Sequence, residues 1–144
     1  RIRGKDTRPE MVVRRWLHSE GFRYSLHSRR LPGCPDIVLR RYHTVIFING
    51  CFWHGHPGCD KFRMPRSNVE FWQEKIRRNK ERDAQEVAAL EALGWNVIVV
   101  WECELSRWAR DLTLRNLVDA VRRNIEPESI HPIPLSVRKL SLKE

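Results

Sequence analysis

Val45-Ile46-Phe47-Ile48-Asn49-Gly50-Cys51-Phe52-Trp53-His54-Gly55-His56-Pro57-Gly58-Cys59 is the stretch that decides the fold. It opens as a short, continuous apolar run and turns into a loop dense in thiols, imidazoles and aromatic rings. An apolar run of that length, bounded by polar and turn residues, predicts a strand buried on both faces. Val97-Ile98-Val99-Val100 repeats the pattern downstream. A helical stretch separates the two runs, so they predict a parallel pair joined by a right-handed crossover.

The other elements follow by working outward. Ser67-Asn68-Val69-Glu70 has the form of a capping box and opens a helix running to about Leu93, where Gly94 stops it. Trp72, Ile76, Val87 and Leu90 mark its apolar face, and Asn79 and Asp83 interrupt that face. Upstream, Thr7-Arg8-Pro9-Glu10 is another capping box with proline in the first turn. It predicts a helix with Val12, Val13, Trp16 and Leu17 inward and a stop at Gly21. Phe22 to His27 alternates as a strand does. Asp36-Ile37-Val38-Leu39 reads as a second strand, followed by a basic turn from Arg40 to His43. Leu114, Leu117, Val118, Val121 and Ile125 place a final helix over about 112–124. The fold class is therefore α/β: a mixed central sheet flanked by helices. Residues 1–125 make one domain, and 126–144 a basic, proline-containing, irregular tail.

The chain has 144 residues, 41% hydrophobic and 31% charged, with a formal net charge of +9 and a pI near 10.0. The length suits a domain with a real core. No apolar run is long enough to span a membrane, and the N-terminus has no signal-peptide pattern. Excess positive charge favours a polyanion, most simply nucleic acid, as partner. Four cysteines in such a chain point to metal or free thiols; two disulfides in a secreted fragment are the competing reading, and His56 between Cys51 and Cys59 favours metal.

Cys51, His56 and Cys59 stand at C-x4-H-x2-C spacing and can grip one ion from one loop. Thiolate and imidazole are zinc ligands, and structural zinc sites are closed by four such groups. Cys103 is the preferred fourth, because it lies just past a buried strand able to run beside the one that feeds the loop. Cys34 is the competing choice. His54 is then left over as a general base, although an exchange of roles between His54 and His56 fits the spacing equally. Asp36, at a strand start after Pro35, offers a carboxylate to a hard divalent cation such as magnesium; Pro-Asp is equally a common turn pair. Glu10 serves either the helix cap or the site. Phe52, Trp53 and Trp72 lie in basic surroundings that run from Lys61 to Arg82. They can act as wedges between bases or as core residues. Trp95, Trp101 and Trp108 read as structural.

Taken together, Ile46 to His56, Pro35-Asp36, Glu70-Phe71-Trp72, Val100-Trp101-Glu102-Cys103 and the start Arg3 to Glu10 resemble the bacterial very-short-patch-repair mismatch endonucleases. The resemblance covers about residues 1 to 125. It implies a nuclease fold related to type II restriction enzymes, a structural Zn2+ and a catalytic Mg2+. The implied activity is nicking of one strand of double-stranded DNA, 5′ of the thymine in a T:G mismatch left by deaminated 5-methylcytosine. It further implies magnesium held by Asp36 and the Ile48 main-chain carbonyl, His54 as general base and Glu10 acting through water. The implied zinc ligands are Cys51, His56, Cys59 and Cys103, and Phe52, Trp53 and Trp72 are the implied intercalating aromatics. A monomer in the bacterial cytoplasm, working beside mismatch-repair proteins, completes the expectation. Three departures stand out. Asn49 replaces a histidine found in some relatives, two residues rather than one separate His56 from Cys59, and the family's N-terminal DNA clamp is largely missing. Two other readings compete: a restriction- or toxin-type nuclease, and a non-catalytic, zinc-stabilised DNA-binding module. Asp36 and His54 discriminate, since a binding module needs neither.

Overall fold

A computed structural model describes residues 6–124. The predicted 126–144 tail and Ile125 lie outside the described residues. Helix α1 (Arg8–Ser19) leads to strands β1 (Ser25–Leu26), β2 (Ile37–Leu39) and β3 (Thr44–Asn49). The long helix α2 (Val69–Ala92), strand β4 (Asn96–Trp101) and helix α3 (Arg110–Arg123) follow. The sheet order is β1-β2-β3-β4. The first two pairings are antiparallel, and β3 runs parallel to β4, as the crossover predicts.

All six residues of β3 are buried, which is why its sequence carries no alternation. Ile46 and Ile48 face a layer formed by α1 and α3, where Val13, Leu17, Leu114, Leu117 and Val121 pack. Val45 and Phe47 face the opposite layer with Val38, Leu90 and Val97, supplied in part by α2. Helix α2 has 24 residues, about 36 Å at 1.5 Å per residue. A six-residue strand reaches only about 20 Å. The C-terminal half of α2 covers the sheet, and its N-terminal half meets the loop that leaves β3. Among the described residues no helix is long and apolar enough to cross a membrane.

The structure departs from the sequence reading in places, each with a local cause. The strand expected over 22–27 pairs only at Ser25 and Leu26. Phe22 instead turns inward against the Tyr42 ring, centroids 5.2 Å apart. The second capping box does not form: Asn68, not Ser67, precedes the helix, in the left-handed conformation and with no side-chain cap. In the first box Thr7 accepts from the Glu10 amide, but the Glu10 carboxylate does not return to Thr7. Trp108 is 90% exposed, so it is no core residue. Its ring lies 5.8 Å from the Arg107 guanidinium carbon.

Candidate functional site

Everything chemical gathers at the carboxyl ends of β3 and β4, where the loops of parallel strands converge. The register pairs Asn49 with Trp101. Cys51 and Cys103 each lie two residues beyond that last pair, so they emerge side by side. The Cys51 main-chain N–H donates to Glu102 Oε1 at 3.1 Å and ties the two loop starts together. Ligand atoms of Cys51, His56, Cys59 and Cys103 then lie within 4.8 Å of one another. Cys103 Sγ and His56 Nδ1 are 3.4 Å apart, close to the ~3.5 Å edge that a tetrahedron with zinc bond lengths requires. The His56 ring stacks on Trp101 at 4.0 Å and an angle of 4°. The Lys61 main-chain N–H points at Cys59 Sγ, 3.4 Å away. Burial pushes the Cys51 thiol far above its ordinary value and raises Cys103 to about 11. A cation bound here must therefore displace protons. Cys34 lies outside the cluster.

His54 takes no part in that cluster. It is buried, and its Nδ1 lies 2.6 Å from Asp83 Oδ2 on α2. A carboxylate on Nδ1 fixes the tautomer that leaves Nε2 as the acceptor nitrogen. The loop is held against α2 by close contact. Asn79 Nδ2 donates to the Trp53 carbonyl at 2.8 Å. Gly55 has φ +60°, and a Cβ there would lie 2.7 Å from Ile76 Cγ2, so only glycine fits. Trp72, Ile76, Asn79, Asp83, Val87 and Leu90 all fall on one face of α2 at three- and four-residue spacing. The polar pair that interrupts the apolar stripe is thus the part that grips the loop. That interruption was the available signal for Asp83, which the sequence reading did not assign to the site.

A second cluster lies beneath. Ligand atoms of Glu10, His27 and Asp36 fall within 4.8 Å of one another. Asp36, 1% exposed, sits just before the β2 ladder, and its Oδ2 accepts the Ile48 main-chain N–H at 2.7 Å. The strands β2 and β3 part there, so a side chain replaces the ladder partner. Glu10 is fully buried. Its Oε2 faces His27 Nε2 at 2.5 Å and the Arg14 guanidinium at 3.7 Å, while Oε1 has no hydrogen-bond partner among the described residues. Sequence reasoning missed His27, which follows the two-residue strand β1 and carries no motif.

Between and above these groups opens a cleft of about 530 Å³, lined among others by Ile48, Asn49, Phe52, Trp53, His54 and Lys61. Asp36 and Glu10 do not line it. Asn49 does, and its buried Oδ1 lacks a hydrogen-bond partner among the described residues. Phe52, Trp53 and Trp72 form one contiguous aromatic group with centroids 5.1 to 5.8 Å apart, and they are only half-buried. Phe62 packs against Phe52, and Phe71, 58% exposed, against Trp72. The sequence reading did not single out Phe62 or Phe71.

A buried carboxylate pair, a carboxylate-held imidazole and an aromatic rim on a basic domain define a nucleic-acid-cleaving enzyme. The comparisons agree. A family model described as DNA mismatch endonuclease Vsr matches residues 1–61. The type II nicking enzyme V.XorIIP of Xanthomonas oryzae pv. oryzae is 50% identical over 119 residues, 82% of this chain and 87% of that protein. V.NmeAIP of Neisseria meningitidis serogroup A is 52% identical over 109 residues, 76% and 77% of the two chains. The DNA mismatch endonuclease Vsr of Escherichia coli is 43% identical over 104 residues, 72% and 66%. The chain belongs to the Vsr family, and it is a DNA endonuclease.

His54→Ala should lower the single-turnover nicking rate by ~10²- to 10⁴-fold, the usual weight of a general base. Bound metal at the thiol cluster should be unaffected, because His56 and not His54 stands among the thiols. Asp83→Asn should give a smaller loss by freeing the ring to take the other tautomer. A His54→Ala protein that releases the thiol-bound metal would reverse the two histidines' roles.

Proposed function

We propose that this endonuclease is magnesium-dependent and nicks one DNA strand 5′ of the thymine of a T:G mismatch, the product of 5-methylcytosine deamination. The reading is carried by one observation: the half-buried Phe52 and Trp53 line the same cleft as His54, with Trp72 packed against both. A wedge beside a water-activating group places cleavage next to a distorted base step. A T:G wobble unstacks at lower cost than a matched pair, so wedges gain selectivity from deformability. A non-catalytic module has no use for the His54–Asp83 pair.

Asp36 and the Ile48 main-chain carbonyl would hold magnesium, with Glu10 behind them acting through water. The donor chemistry fits, being oxygen-rich with one buried Glu10 oxygen lacking a hydrogen-bond partner among the described residues. Bound magnesium stabilises the charge that develops on the phosphate oxygens. His54 Nε2 takes the proton from the attacking water, and Asp83 holds the ring in place and stabilises the resulting imidazolium. Cys51, His56, Cys59 and Cys103 suit zinc in both chemistry and spacing. Its role there is to clamp the loop that carries Phe52, Trp53 and His54.

The test is a nicking assay on end-labelled duplexes carrying T:G or matched pairs in varied sequence contexts, with and without magnesium. Cleavage of T:G duplexes alone, 5′ of the thymine, with magnesium and not in the absence of divalent cation, supports the reading. Equal cleavage of matched DNA would favour a nicking enzyme of other specificity. Phe52→Ala and Trp72→Ala should each lose preference for mismatched over matched DNA, by roughly 1–3 kcal/mol for a lost stacking ring. Salt-dependent nonspecific affinity, measured by anisotropy, should change little. Equal losses on both duplexes would indicate damage to packing instead.

A further inference from the structure

We propose that His27 donates its Nε2 nitrogen to the metal at the Glu10–Asp36 corner, and that this makes the site select a first-row transition cation, with Mn2+ the best fit, over Mg2+. The proposal rests on the reading of Asp36 as the catalytic metal ligand, and it adds a ligand and a metal preference to that reading.

Three observations carry it. First, a ring nitrogen of His27 and one carboxylate oxygen each of Glu10 and Asp36 converge within 4.8 Å from three places in the chain: helix α1, the residue after β1 and the residue before β2. Second, the backbone holds His27 there. Its φ is +45°, a conformation that few residues other than glycine adopt. Its amide donates to the Asp36 carbonyl at 3.1 Å, which locks the turn to the strand carrying the aspartate. Third, Glu10 is fully buried with Oε1 unpartnered among the described residues. A buried carboxylate oxygen without a donor is costly unless something positive faces it. Arg14 and His27 both face Oε2, the other oxygen. A cation in the corner would answer Oε1, and would draw onto itself a carboxylate oxygen of Asp36 and the His27 nitrogen that otherwise meets Oε2 at 2.5 Å.

The selectivity follows from the donor set. Mg2+ binds oxygen, holds its waters tightly and gains little from an imidazole. First-row transition ions accept nitrogen and oxygen together, and Mn2+ among them keeps the octahedral, oxygen-rich coordination that two carboxylates favour. A histidine in place of an all-oxygen shell therefore raises affinity for Mn2+ far more than for Mg2+.

The experiment uses the full chain with its thiol cluster loaded with zinc and the zinc content checked before and after. Mn2+ and Mg2+ affinities are measured without DNA by calorimetry, Mg2+ also by displacement of Mn2+. Pulsed electron paramagnetic resonance then reads nitrogen coupling to bound Mn2+. Wild type should bind Mn2+ at least ~10-fold more tightly than Mg2+ and show one imidazole nitrogen on the ion. His27→Asn tolerates the left-handed backbone but is too short to reach. It should lose the nitrogen signal and ~10- to 100-fold in Mn2+ affinity, with Mg2+ affinity changed less than about threefold. Two results would overturn the proposal: wild-type Mn2+ without nitrogen coupling, or a variant that weakens both ions equally, as loss of a mere Glu10 positioner would. If His27→Asn does not fold, the wild-type nitrogen signal and affinity ratio decide alone. Asp36→Asn tests the underlying reading separately. If both ions bind it as they bind wild type, the metal lies elsewhere and the fault is in the active-site assignment rather than in His27.

Discussion

Asp36→Asn should leave the domain folded and DNA bound while strand cleavage falls by ~10³-fold or more, since metal-assisted charge stabilisation is worth several kcal/mol. The substitution keeps the shape. An asparagine oxygen can still accept the Ile48 main-chain N–H that Asp36 Oδ2 accepts at 2.7 Å, so β2 and β3 stay joined where they part. What goes is one of two negative charges buried in the same corner as Glu10. Buried like charges repel, so thermal stability should hold or rise. Mismatch binding should hold as well, because the aromatic rim and the basic stretch from Lys61 to Arg82 are untouched. Single-turnover nicking, thermal melting and anisotropy on T:G duplexes check the three parts. Wild-type nicking by this variant would move the active site away from Asp36.

The sequence was readable where one physical demand dominates a residue. Both faces of β3 and β4 are covered, so their runs are uninterrupted, and the parallel pair was visible without an alignment. The thiol cluster was visible because metal geometry ties ligand spacing to chemistry. The choice of Cys103 over Cys34 followed from placing it past a buried strand, and the Asn49–Trp101 register is what brings Cys103 beside Cys51. The reading failed where residues answer to partners far away in sequence. Asp83 looks like a flaw in an apolar stripe until the loop folds onto α2 and brings His54 to it. His27 looks like the end of an ordinary strand, since only α1 and β2 together turn its ring toward Glu10 and Asp36. Glu10 was ambiguous for a local reason: a capping box and an active-site carboxylate have the same sequence. The Glu10 side chain turns toward His27, away from Thr7.

Removing the metal from the thiol cluster should unfold more than its own loop. Cys51 is fully buried and sits where β3 ends, and Cys103 sits where β4 ends. The loop that leaves β3 also carries Phe52, Trp53 and His54, and it reaches α2 through Asn79, Asp83 and the close approach at Gly55. A cation holding four ligands is therefore a cross-link between the two central strands and the helix that crosses over them. Closed structural sites contribute directly to folding free energy, on the order of 10 kcal/mol for tightly bound zinc. That is comparable to the whole net stability of a typical domain, about 5–15 kcal/mol. Cys51→Ser should accordingly yield a protein that melts far below wild type or does not fold, whereas His54→Ala should melt near wild type. Rebinding of zinc to chelator-stripped protein should release protons into weakly buffered solution, because burial keeps the Cys51 and Cys103 thiols protonated without it. Metal analysis, thermal melting and a proton-release titration read these outcomes. A stoichiometric zinc that survives both Cys51→Ser and Cys103→Ser would show that the clamp is built from other ligands.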